Sequence, residues 1–118
     1  MPVYHLDPLT GGIKVHAPGQ RARTLKWGLC GERTRRVVDL LNESADHGAQ
    51  HGLAADGLPW MTYEASGDQV RARVGGGAPD VIAQNLELWL AVSLAHELTR
   101  AYAAAAAAAA TSSEWSLP

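Results

Sequence analysis

Hydrophobic and polar positions alternate one by one near the start of this chain and at helical spacing further on. Val3 to Leu6 (Val-Tyr-His-Leu) and Ile13 to His16 (Ile-Lys-Val-His) are short β-type runs, separated by the turn formers Asp7, Pro8, Thr10, Gly11 and Gly12. That pattern predicts a first hairpin. Arg23 to Leu29 alternates well enough for a third strand, bounded by Gly28 and Gly31. The period then changes, with Val37, Val38, Leu40, Leu41 and Ala45 on one side and Arg35, Arg36, Asp39 and Glu43 on the other. This predicts an amphipathic helix at about 33–46, stopped near Gly48. His47 to Pro59, rich in glycine, reads as a loop. A second hairpin follows: Trp60–Ala65 and Gln69–Val74 flank Ser66-Gly67-Asp68, with Val70, Ala72 and Val74 on one face and Arg71 and Arg73 on the other.

The last third of the chain reads as one long helix. Pro79-Asp80 supplies an N-cap, since the Asp80 carboxylate suits orphan amides and the positive helix end. From Val81 onward Ile82, Leu86, Leu88, Trp89, Leu90, Val92, Leu94 and Leu98 cover most of the circumference, leaving a narrower stripe of Ser93, His96, Glu97 and Arg100. A helix apolar on most sides is buried on most sides. Ala103 to Ala110 are all alanine, the strongest helix former, so nothing ends the helix before Thr111. A helix over 80–110 would be roughly 45 Å long, beyond the ~35 Å diameter of a compact chain of this size. It should overhang its own domain, with solvent or another chain beside its last turns.

The fold class expected is therefore α+β: two β-hairpins, separate or joined in one small antiparallel sheet, packed with an amphipathic helix and a long C-terminal helix. Length fits a single domain over residues 1–110, with helix 80–110, followed by a short tail, 111–118, carrying Trp115. Hydrophobic residues are 47 % and charged residues 19 % of the 118, with a formal net charge of −2, which excludes a disordered chain. Cys30 is the single cysteine, so no intrachain disulfide framework exists and a reducing, cytoplasmic setting is the default, within a cell or a virion. The N-terminus lacks a signal-peptide pattern. The most apolar window, Val81 to Leu94, is interrupted by Gln84, Asn85, Glu87 and Ser93, so membrane insertion is not expected.

Candidate chemistry is sparse. Cys30 and Arg36 satisfy the Cys-x5-Arg spacing of cysteine-dependent phosphatases, in which a thiolate at a helix N-terminus and a guanidinium serve a phosphate. No His precedes the cysteine, however, and Val37 stands where a hydroxyl residue normally follows the arginine. An inert buried thiol is the simpler reading. His47 and His51, four apart with Asp46 and Asp56 nearby, are metal-ligand candidates by spacing alone; solvated loop histidines explain them as well. His96 beside Glu97 and Arg100 suggests a structural hydrogen bond. No nucleophile, base and acid converge, and no cofactor is expected.

Charge is divided unevenly. Lys14, Arg21, Arg23, Lys26, Arg33, Arg35 and Arg36 face only Glu32 over residues 14–36, whereas residues 60–118 carry three arginines against six acids. A nucleic-acid-binding module would use Arg21, Arg23, Lys26, Arg33, Arg35 and Arg36 on phosphates, with Trp27 stacking on a base. The preferred reading is different. Excess apolar helix surface points to a non-enzymatic assembly component, adaptor or inhibitor, docking through Leu88, Trp89, Val92, Leu98, Tyr102 and Trp115 on copies of itself or on a larger protein.

Overall fold

The structure is a computed structural model that describes residues 2–9, 11–17, 20–29 and 31–115, with side chains as far as Ala110. Its elements are β1 (Val3–Leu6), β2 (Ile13–His16), β3 (Arg23–Leu25), α1 (Glu32–His51), β4 (Met61–Ser66), β5 (Gln69–Val74), β6 (Asp80–Ala83) and α2 (Leu88–Trp115). The fold is α+β. Both hairpins gain a third strand and stay apart, as two antiparallel sheets ordered β1-β2-β3 and β4-β5-β6. In the second hairpin Ser66 pairs with Gln69 across Gly67-Asp68, and Gly67 has a φ of 61°, the left-handed geometry such a tight turn requires.

The expected helix over 80–110 begins late, because its first residues form β6. Val81 pairs with Arg71, Asp80 with Ala72 and Ala83 with Val70, so Ile82 is an extra residue bulged out of register. Periodicity cannot tell a short apolar run in a strand from one in a helix. Here β5 offers a strand edge, and the Val81-Ile82 pair is β-branched and suits it. Asn85, at φ 61°, then turns the chain, and the Leu86 N–H donates to the Asp68 carbonyl at 3.0 Å. Asp80 is thus a strand residue rather than an N-cap. At the other end α2 runs on to Trp115, past the boundary expected at 110.

Helix α1 is longer than its sequence implied, and the segment from His47 to His51 is helical rather than looped. Gly48 does not stop it because the helix needs glycine there: a Cβ at Gly48 would lie 2.3 Å from the Tyr102 carbonyl oxygen. Arg33 pairs with Glu87, and the Ser44 hydroxyl donates to the Leu98 carbonyl at 2.7 Å, both contacts joining residues 54 apart in sequence. Gly48 meets Tyr102 at the same offset. A constant offset means that α1 and α2 run side by side in the same direction.

One core joins these parts. Val37, Leu41 and Ala45 of α1 meet Leu94, Leu98, Ala101 and Ala105 of α2, with Tyr4, Ile13 and Val15 from one sheet and Val70 from the other. One side of the alanine run therefore enters the core, through Ala105 and Ala106, where the expectation had solvent or another chain beside the last turns. Sheet β1-β2-β3 is fastened by Asn42, whose Oδ1 accepts from the Tyr4 N–H and whose Nδ2 donates to the Tyr4 carbonyl, both at 2.9 Å. The side chain pairs with the edge of β1 at Tyr4 as another strand would, which covers the edge at that residue. The result is a slab with extents of 47 × 37 × 17 Å.

Candidate functional site

Helix α2 turns one side outward, and that side is unusually apolar. Leu88, Trp89 and Val92 are 67 %, 50 % and 54 % exposed and sit at i, i+1 and i+4, so they form one patch. His96, Thr99, Arg100, Ala103, Ala107 and Ala110 continue the same exposed face toward the C-terminus. Arg100 is its single charge among the residues with described side chains. Two members of the expected docking set are not on this face. Leu98 and Tyr102 are fully buried against α1, and the Tyr102 hydroxyl accepts from the Trp60 N–H at 3.0 Å and donates to the Gly52 carbonyl at 2.7 Å. Tyr102 fastens the segment after α1 and offers nothing to a partner. The side chain of Trp115 lies outside the described residues.

A cleft of about 700 Å³ opens between α1 and the β6–α2 segment. Val37, Leu90 and Leu94 form its floor, Leu40, Ile82 and Leu86 its walls, and Arg33 and Arg36 stand at its α1 rim. Its size is that of small-molecule sites. The Arg33 guanidinium donates to Glu87 at 2.9 Å across one end, and this hydrogen bond holds the exposed Glu87 carboxyl below its usual range. Sequence reading missed the cleft because it placed residues 80–87 in the helix. Arg36 is thus at a groove rim on α1, while Cys30, its proposed phosphatase partner, lies outside the described residues.

Glu97 and Asp7 are the buried carboxylates among the described residues, and Glu97 is the one that joins distant elements. It is 3 % exposed, and it accepts from both terminal nitrogens of Arg23, Nη1 at 3.2 Å, and from the Tyr4 hydroxyl at 2.9 Å. Burial, and then the Glu97 charge, pushes the Tyr4 phenol well above its ordinary range, while the bond to Glu97 raises Arg23. Below pH 10 the phenol is protonated in both the folded and the unfolded chain. Above pH 10 only the unfolded chain releases the proton, so stability falls, by up to about 1.4 kcal/mol per pH unit. Tyr63, raised by burial, acts in the same direction. Urea unfolding between pH 8 and 11.5 should show this loss, and Tyr4→Phe should remove the larger share of it; an unchanged slope in the variant would refute the buried contact.

The other sequence candidates are dispersed. Arg23 is committed to Glu97, and Arg33 to Glu87. Arg21 lies beside Arg23 and Arg100 at a small cleft, whereas Arg33 and Arg36 flank the large one. Lys26 and Arg35 are exposed, and Trp27 packs half-buried against the core instead of presenting a ring for stacking. His47 and His51 share a face of α1; the His51 ring stacks on Trp60 at 3.6 Å, and His47 lies 3.6 Å from Glu43. Among the described residues no group of three or more His, Cys, Asp or Glu is placed to hold a metal ion. Nor is any helix among them long and apolar enough to cross a membrane. Comparison of the chain with protein-family models, curated proteins and solved structures finds no match in any of the three.

Proposed function

We propose that this protein is a non-enzymatic assembly component that docks through the exposed face of α2 onto a second copy of itself. The observation that carries the reading is the composition of that face, with large apolar side chains at Leu88, Trp89 and Val92 and bare alanine at Ala103, Ala107 and Ala110. Turned end for end about a two-fold axis beside Thr99 and Arg100, the face sets Val92 opposite Ala107 and Trp89 opposite Ala110. Large meets small, as a self-complementary contact requires.

The two Arg100 side chains then lie on the same rim near the axis and repel. Self-association should strengthen as salt screens them, whereas binding to a phosphate backbone weakens steeply with salt. Sedimentation equilibrium tests this on variants of exposed residues, which leave the core intact. Trp89→Glu with Val92→Glu should weaken association at least 30-fold, the effect of losing about 2 kcal/mol at a hot spot, and Arg100→Gln should tighten it. Association unaffected by either change would refute docking through α2. A salt-weakened interaction with an oligonucleotide, with no self-association, would favour the basic residues instead.

A further inference from the structure

The cleft between α1 and β6 lies on the opposite side of α2 from Trp89 and Val92, and its features are of another kind. We infer that it is a binding site for a medium-chain aliphatic carboxylate, taken with its tail between α1 and β6 and its head at Arg36. The tail would lie against the part-exposed side chains of Leu40, Ile82 and Leu86 and the exposed Val81, over a closed floor of buried Val37, Leu90 and Leu94, in a space of about 700 Å³. The wall opposite α1 is locally irregular in two ways. The bulge makes Ile82 an extra residue where β6 borders the cleft, and Asn85, also on the lining, holds a left-handed φ of 61°. Bulges next to binding sites re-aim side chains, and non-glycine residues in this conformation gather at ligand clamps.

Charge selects the head group. Arg33 and Arg36 are one turn apart on the same face of α1, and no carboxylate is among the residues lining the cleft. Glu87 at the mouth is held by Arg33, while Arg36 makes no ion pair among the described residues. An anionic head therefore finds a guanidinium without displacing a protein carboxylate. A neutral head gains nothing there, and a cationic one is repelled.

The test is isothermal titration of the full chain with decanoate below its micelle concentration, beside decanol, decyltrimethylammonium and acetate. One decanoate per chain is expected, at least tenfold tighter than decanol, with acetate and the ammonium ion not binding. Shortening the tail from decanoate to octanoate to hexanoate should weaken binding about fourfold per methylene, the ratio for burying one CH₂. Arg36→Ala, a change at an exposed helix position that leaves the core untouched, should weaken decanoate about tenfold and leave decanol unaltered. Trp89→Glu should change neither, which keeps this site distinct from the docking face. Absent or non-saturable decanoate binding overturns the inference, as does equal affinity for decanol, or loss of binding in Trp89→Glu but not in Arg36→Ala.

Discussion

Gly48→Ala should destabilise the protein by about 3 kcal/mol, although alanine is the better helix former by about 1 kcal/mol. The sign is set by the neighbouring helix. A Cβ on residue 48 would stand 2.3 Å from the Tyr102 carbonyl oxygen and 3.0 Å from the Tyr102 carbonyl carbon and Cα. These are backbone atoms of α2, so no side chain can rotate aside. The helices would have to separate, pulling on the Ser44–Leu98 hydrogen bond one turn earlier and on the two hydrogen bonds of the Tyr102 hydroxyl. Thermal unfolding should show a fall in Tm of about 10 °C. A neutral or raised Tm would mean that α1 and α2 are not in contact at this point, and the parallel arrangement would have to be abandoned.

Removing the buried carboxylate should be nearly as damaging. Glu97→Ala leaves the Tyr4 hydroxyl without its acceptor in the interior and Arg23 without its counter-ion. Breaking a fully buried pair costs about 3–5 kcal/mol, but the Arg23 side chain is 35 % exposed and water can solvate part of it, so about 2–3 kcal/mol is expected here. Replacing the whole cluster is a different operation. Tyr4→Phe, Arg23→Met and Glu97→Leu together should cost less than Glu97→Ala alone, because no charge or hydroxyl then remains unpartnered. Urea unfolding of the single and triple variants measures both. A triple variant less stable than the single one would show that the cluster contributes net stability.

Local patterns made parts of this fold readable. The hairpins declare themselves through single alternation and turn residues, and α1 through its apolar stripe, since these are properties of neighbouring residues. What could not be read depends on distant partners. Gly48 looks like a helix stop until Tyr102 is beside it. Val81-Ile82 looks like the start of a helix until β5 supplies an edge. His96 and Glu97 are adjacent polar residues, and only Tyr4 and Arg23, from 93 and 74 positions earlier, decide that Glu97 turns inward. The docking face was half legible for the same reason. Leu88, Trp89 and Val92 belong to it, but a helix apolar on most sides carries no mark showing that Leu98 and Tyr102 are the ones α1 covers.

The alanine segment joins the two themes, because one of its sides is core and the other is the flat half of the proposed contact. Cutting the chain at Arg100 would remove Ala101, Tyr102 and Ala105 from the interior, so the full chain is the material to test. Its absolute mass by light scattering, over a range of protein and salt concentrations, addresses the docking proposal most directly. A species of twice the 12.5 kDa chain mass, increasingly populated as salt rises, is the expected result. A mass of 12.5 kDa at every protein and salt concentration would contradict it.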